Sequence, residues 1–107
     1  MAAFLNIRRI DVASLELATA CARTGSLSAA ARALCMSVPT ASQRLSALED
    51  AVGRPLFVRS TSGLTITSAG CVVAEHGHQM LQAMARMREE VAWTMASALS
   101  EANHPRM

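Results

Sequence analysis

Lysine and tyrosine are both missing from this chain of 107 residues, and aromatic side chains make up only 3% of it. Two phenylalanines and one tryptophan cannot fill a core, so the 51% of hydrophobic residues must pack mainly through Ala, Leu, Val, Ile and Met. An Ala-rich, aromatic-poor composition favours helices over sheets. The length suits one domain, or a small domain carrying one long element. A core of that size is thin, and a partner chain would add to it.

Cysteine is scarce as well. Cys21, Cys35 and Cys71 are the only three, so they cannot all pair within one chain. Neither a CxxC nor another metal-ligand spacing is present. Each cysteine falls at an apolar-periodic position, and buried thiols in a reducing cytoplasm are expected. His76 and His78 lie two apart, so on a helix they face away from each other, and His104 falls near the C-terminal end. No metal site and no cofactor is expected. No apolar run approaches the ~20 residues needed to cross a bilayer. The opening MAAFLNIRRID lacks the apolar core and cleavage pattern of a secretory signal. A cytoplasmic protein is expected. No nucleophile elbow, phosphate loop or His–acid pairing points to an enzyme.

What is present is arginine, which supplies all ten basic residues against eight acidic ones, for a net charge of +2. Position says more than the sum. Arg23, Arg32, Arg44, Arg54 and Arg59 crowd the stretch from Arg23 to Gly63, opposed there by Glu49 and Asp50. Glu75, Glu89, Glu90 and Glu101 lie further on. A locally basic first half suits a polyanion.

Along the chain, Phe4, Leu5, Ile7 and Ile10 form a lead-in able to dock on the body. Asp11 is placed to cap a first helix, in which Val12, Leu15, Ala18 or Thr19, and Ala22 recur at helical spacing beside Leu17 and Cys21. Thr24-Gly25 stops it. Ser28 is expected to cap a second helix over Ala29 to Leu34, whose alanines allow close approach. Cys35-Met36 makes a turn. Ser37 caps a third helix, with Pro39 in its first turn, where a missing N–H costs nothing. Ala41, Leu45 and Leu48 form its inner stripe. Val38, Thr40, Ser42, Gln43, Arg44 and Ser46 form its outer face. Two helices joined by so short a turn define a helix-turn-helix, whose second helix reads the major groove. Leu56 to Arg59 and Leu64 to Ile66 then read as strands around the turn Ser60 to Gly63. A hairpin in that place is a wing, and it must lean on the helices to be stable.

Thr67 caps a last helix running from Ser68 to roughly Ala98. Met80, Met84, Met87 and Val91 step by four, three and four, Val73 and Gly77 extend the row backwards, and Ala98 extends it forwards. This is a heptad-like seam on a helix too long for so small a body to cover, and a second copy is its expected partner. The expected fold is therefore mainly α. It comprises a lead-in (1–10), a winged helix-turn-helix of three helices and a two-stranded β wing (11–67), a linker and dimerisation helix (68–100), and a tail (101–107).

From Asp11 to about Leu81 the chain resembles the N-terminal DNA-binding domain of LysR-type transcriptional regulators. The residues that carry the resemblance are Gly25-Ser26, Ala30-Ala31, Leu34, Ser37, Pro39, Ser42, Leu45, Leu48-Glu49, Gly53, Leu56-Phe57, Arg59, Ile66-Thr67 and Ala69-Gly70. The resemblance implies a sequence-specific bacterial transcription regulator that binds double-stranded DNA as a dimer or a dimer of dimers. It departs from the family pattern at Val38, where Gln is usual, at Gln43-Arg44, where the order is usually reversed, and at Ala18, where a bulky aromatic is usual. The wing tip Ser60 to Gly63 is uncharged where Arg or Lys is common. The family's large effector-binding domain has no room in 107 residues. The sequence therefore reads as a fragment of a longer regulator or as a free-standing chain with no small-molecule effector site.

The expected DNA-binding residues are Ser28, Arg32, Ser37, Val38, Pro39, Thr40, Ser42, Gln43, Arg44, Arg54 and Arg59. Ser37, Thr40 and Ser42 are expected to divide between phosphates and bases, and Val38 to offer a thymine methyl an apolar contact. Gln43 and Arg44 have the reach for base edges, with phosphate the alternative for Arg44. The N-termini of the helices after Ser28 and Ser37 suit phosphate oxygens. Arg59 matches the family's wing arginine, which implies a phosphate or minor-groove contact. The expected dimer seam is Val73, Gly77, Met80, Met84, Met87 and Val91. The rival reading is a protein-interaction or dominant-negative dimerisation module that has lost autonomous DNA binding, motivated by the low net charge and the uncharged wing tip.

Overall fold

The computed structural model describes residues 6–102, with side chains described to residue 99. Phe4 and Leu5 of the lead-in and residues 103–107 of the expected tail lie outside the described residues. The order of elements is a 3₁₀ turn (Ile7–Arg9), α1 (Val12–Thr24), α2 (Leu27–Ala33), α3 (Val38–Val52), β1 (Phe57–Ser60), β2 (Gly63–Ile66) and α4 (Ser68–Ala102). This is the expected winged helix-turn-helix followed by a long helix. The lead-in docks where the Asn6 N–H donates to the Ala51 carbonyl at 2.8 Å and Ile10 packs on the core, while Ile7 stays exposed.

Helix α1 starts where Asp11, in extended conformation, accepts from the Ser14 N–H at 2.8 Å, and ends at Gly25 in the left-handed region. It buries Ser14, Leu15, Leu17, Ala18, Ala20 and Cys21, whereas Val12 and Ala22 of the expected stripe are exposed. The reason is its central position. It packs on α4 on one side and on α2 and α3 on the other, so it buries a wide arc and not a single stripe.

The second helix begins earlier than its composition suggested. Ser26, not Ser28, is the N-cap, and its side chain accepts from the Ala29 N–H at 3.1 Å. Gly25 turns the chain sharply, which leaves Ser26 as the first extended residue, and the Thr24 hydroxyl donates to the Ser26 carbonyl at 3.1 Å. Ser28 lies inside the first turn and is exposed. Ala30 and Ala31 are fully buried, which brings α2 close to its neighbours. Leu34 and Cys35 make the turn, with Cys35 at φ 56. Ser37 then caps α3 by accepting from the Thr40 N–H at 3.2 Å. Ala41, Leu45, Leu48 and Ala51 of α3 are buried.

The core is Leu and Ala with little else: Leu17, Leu45, Leu48 and Leu56 are fully buried, with Cys21 among them and Phe57 at the edge. Each buried leucine contributes about 1.5–3 kcal/mol by leaving water. The strands pair antiparallel with Phe57 opposite Ile66 and Ser60 opposite Gly63, so the loop is the two residues Thr61 and Ser62 and not the expected four from Ser60 to Gly63.

Helix α4 has two halves with different fates. Thr67 anchors its start by accepting from the Gly70 N–H at 3.0 Å while its hydroxyl donates to the Pro55 carbonyl at 2.7 Å. Gly70 lies directly against the Leu56 carbonyl oxygen. Val73 packs on the core, and Gly77 is buried against Thr19 and Leu15 of α1. These two members of the expected dimer seam are thus taken by the chain's own core. The gap a glycine leaves is what lets α1 come that close. Beyond them Met80, Met84, Met87 and Val91 are exposed, the last three beside Val12 and Glu16 of α1. It continues to Ala102, into the span expected to be a tail.

Two of the three cysteines also part from expectation. Cys21 is buried, and burial pushes its thiol up to about 11. Cys35 and Cys71 are exposed, the first because its left-handed turn projects from the body, the second because α4 meets the core through Val73 and Gly77 instead. Iodoacetamide should therefore alkylate Cys35 and Cys71 in the native protein and Cys21 only after denaturation, as read by peptide mass mapping. Gly70→Ala should cost about 1–3 kcal/mol in urea unfolding, because a Cβ there would overlap the Leu56 carbonyl and come within 2.7 Å of Ile66 Cγ1.

Candidate nucleic-acid interface

The outer surface of α3 is sorted by helical spacing. With Ala41, Leu45 and Leu48 inward, Pro39, Gln43 and Ser46 stand opposite, and all three are exposed. Val38 is 43% exposed at the first helical position. Ser42 and Glu49, one heptad apart, line the flank beside the wing. Thr40 and Arg44 line the other flank, toward Asp11.

The wing is fastened to the first of these flanks at two levels. Near the C-terminal end of α3, a Glu49 carboxylate oxygen accepts from the Leu56 N–H at 2.7 Å and the Phe57 N–H at 3.2 Å. Two turns nearer the N-terminus, Arg59 Nη1 donates to Ser42 Oγ at 2.6 Å and Nη2 to the Ser42 carbonyl at 3.4 Å. The other strand is tied in through the Leu64 N–H, which donates to the Gly25 carbonyl at 3.0 Å. Gly63 makes that approach workable, since its φ is 122° and an added Cβ would lie 2.6 Å from the Gly25 oxygen. The anchoring role of Glu49 was not foreseen. The spacing of Leu48-Glu49 before Leu56-Phe57 was its only trace in the sequence.

The expected DNA-binding residues are not all equally free. Ser37 uses its hydroxyl internally: it accepts from the Thr40 N–H and donates to Thr40 Oγ1 at 2.9 Å. Thr40 keeps its own hydroxyl proton. Arg44 is half-buried, and its Nε is buried without a hydrogen-bond partner, so its stem lies along the flank and not on the outermost line. Hydrogen bonds from Ser14, helped by the Arg44 charge, hold the Asp11 carboxyl below its ordinary range. Ser28 lies across a cleft from Arg59, Ser60 and Thr61, at the junction of α2 and the wing. Arg32 is exposed in the last turn of α2. Arg54 is exposed just past the C-terminal end of α3, in a hollow with Glu49, Asp50 and Pro55. The full length of α3, about 22 Å, separates it from Ser37. The structure therefore gathers Val38, Pro39, Thr40, Ser42, Gln43, Arg59 and Ser28 toward one end and sets Arg54 apart.

A second surface feature is apolar. Leu81, Met84, Met87 and Val91 of α4, with Val12 and Glu16 of α1, line a groove of about 590 Å³. Among the described residues no group of His, Cys, Asp or Glu could hold a metal ion, and no helix is long and apolar enough to cross a membrane.

This arrangement has close counterparts. The HTH-type transcriptional regulator Rv2282c of Mycobacterium tuberculosis, itself uncharacterized, is 37% identical over 78 residues, covering 73% of this chain and 25% of that protein. BbuR of Bordetella bronchiseptica, an HTH-type transcriptional regulator, is 38% identical over 71 residues, covering 66% of this chain and 22% of BbuR. The chain thus spans about a quarter of the length of these relatives. Among solved structures, the DNA-binding domain of CbnR in its DNA complex matches with a TM-score of 0.76 at 28% identity, covering 80% of this chain and 99% of that one. The profile for the bacterial regulatory helix-turn-helix protein, lysR family, matches residues 12–71, more than half of the sequence, and to that family the chain belongs.

Proposed function

We propose that this chain is a sequence-specific DNA-binding module of a transcription regulator and that it docks on duplex DNA as a homodimer. In this reading the N-terminal half of α3 enters the major groove, and the wing lies over the flanking backbone. The observation that carries it is the likeness to the CbnR domain that was crystallised on DNA, a likeness covering 99% of that chain. The chemistry of the surface agrees. Thr40, Ser42 and Gln43 offer polar groups to base edges, Val38 offers an apolar contact, and Arg32, Arg44 and Arg59 supply positive charge around them.

The homodimer reading rests on α4. Met80, Met84, Met87 and Val91 stand exposed at heptad-like spacing on the later half of the helix. A row of large apolar side chains in water favours burial against a second copy. Glu16 and Arg88 at the groove rim add charges of opposite sign. A dimer sets the separation of two α3 helices and hence the spacing of half-sites.

If about four phosphates are neutralised per subunit, log K for a duplex should fall with log[salt] at a slope near −4 per subunit, read by gel retardation across salt concentrations. Absence of retardation even at low salt would favour the interaction-module reading. Placing charge on the seam with the double substitution Met84→Glu/Met87→Glu should convert dimer to monomer by light scattering. It should weaken binding to a two-half-site duplex by about a hundredfold or more, with helix content unchanged by circular dichroism. A dimeric mass for that variant would remove α4 as the dimer contact.

A further inference from the structure

We propose that the wing residue Arg59 biases Ser42 toward donating in the major groove, so that the base preferred opposite Ser42 is set by a residue that need not touch DNA. The inference rests on the DNA-docking reading above and adds a specificity-determining pair to it. A free serine hydroxyl has one proton to give and two lone pairs to accept with, and it rotates to suit either partner. A serine in the major groove therefore discriminates poorly between donor and acceptor base edges.

Ser42 is not free in this way. Arg59 Nη1 occupies its Oγ at 2.6 Å, a short charge-assisted bond, and Nη2 reaches the carbonyl of the same residue at 3.4 Å. The guanidinium thus covers the wing side of Ser42 with positive charge. One Ser42 lone pair is thereby taken, and the adjacent positive charge disfavours donor groups on bases, such as cytosine N4 and adenine N6, at the other. The Ser42 proton remains available, and among the described residues no acceptor takes it. The groups it suits are purine N7, guanine O6 and thymine O4, all acceptors.

Arg59 is also held in place from behind. Its strand is fixed to α3 by Glu49 through Leu56 and Phe57, and to the α1–α2 junction through its partner Leu64 and the Gly25 carbonyl. Wing and α3 are therefore already joined without Arg59, so the arginine is not needed to attach one to the other. Arg59 is a positioning residue: it acts on the base through Ser42.

The test is selection of duplexes from a random pool by the wild type, Ser42→Ala, Arg59→Ala, Arg59→Lys and the double variant Ser42→Ala/Arg59→Ala, with the preference read position by position. Ser42→Ala should lose discrimination by about fivefold at one base pair per half-site, the worth of one hydrogen bond. Arg59→Ala, with the serine intact, should lose it at that same base pair, and the double variant should lose no more. Arg59→Lys keeps a cationic donor for Ser42 Oγ but loses the second arm on the Ser42 carbonyl, so it should retain part of the preference and of the overall affinity that Arg59→Ala loses. Should both Arg59 variants lower affinity for every sequence alike, with each positional preference unchanged, Arg59 is a phosphate contact and the inference falls while the DNA-binding reading stands. Should the wild type enrich no sequence, both fall together.

Discussion

A carboxylate and two backbone amides hold the wing to α3, and the rest of the molecule depends on that clasp. The hairpin has only two strands and buries little beyond Phe57 at its root. Such a hairpin is marginal alone. Glu49 satisfies the Leu56 and Phe57 N–H groups at the point where the chain turns from α3 into β1, which would otherwise leave two donors unpaired beside the core. From there the hairpin carries Arg59 back along α3 to Ser42. At its other end, Thr67 ties the start of α4 to the same segment through the Pro55 carbonyl. Residues 55–57 are consequently the meeting point of α3, the wing and α4.

Helix α4 divides the labour of the chain in two. Its first turns use Gly70, Val73 and Gly77 to lie close on Leu56 and α1, which makes it part of the folded body. Its later turns carry methionines and a valine into solvent. The change occurs within one continuous helix, because α1 ends its own reach at Val12. Small residues come first and large apolar ones later. That order lets the helix grip its own domain with one half and expose large apolar side chains on the other.

Several features were legible in the sequence because they are local. Asp11, Ser37 and Thr67 cap the helices they were expected to cap, and Gly25 and Gly53 end helices in the left-handed region. Each of these depends on residues within a few positions of one another. The inner stripe of α3 was legible for a similar reason: a surface helix buries one side only. Ser26 against Ser28 was decided by where the left-handed Gly25 released the chain, a matter of one backbone angle. Cys21 is buried as expected, but Cys35 and Cys71 were misread because periodicity assigns a residue to a face but does not say which face meets the body.

What the sequence determined by itself, then, was the succession of helices, turn, wing and long helix, since caps, breakers and hydrophobic spacing act at short range. Tertiary structure alone decided the partners. It turned Val73 and Gly77 inward, left Met80 to Val91 outward, laid the Arg44 stem along a flank, committed the Ser37 hydroxyl to Thr40, and brought Arg59 onto Ser42 across seventeen residues of chain. Those outcomes depend on how whole elements pack. A side chain with several reachable partners takes the one that packing places beside it.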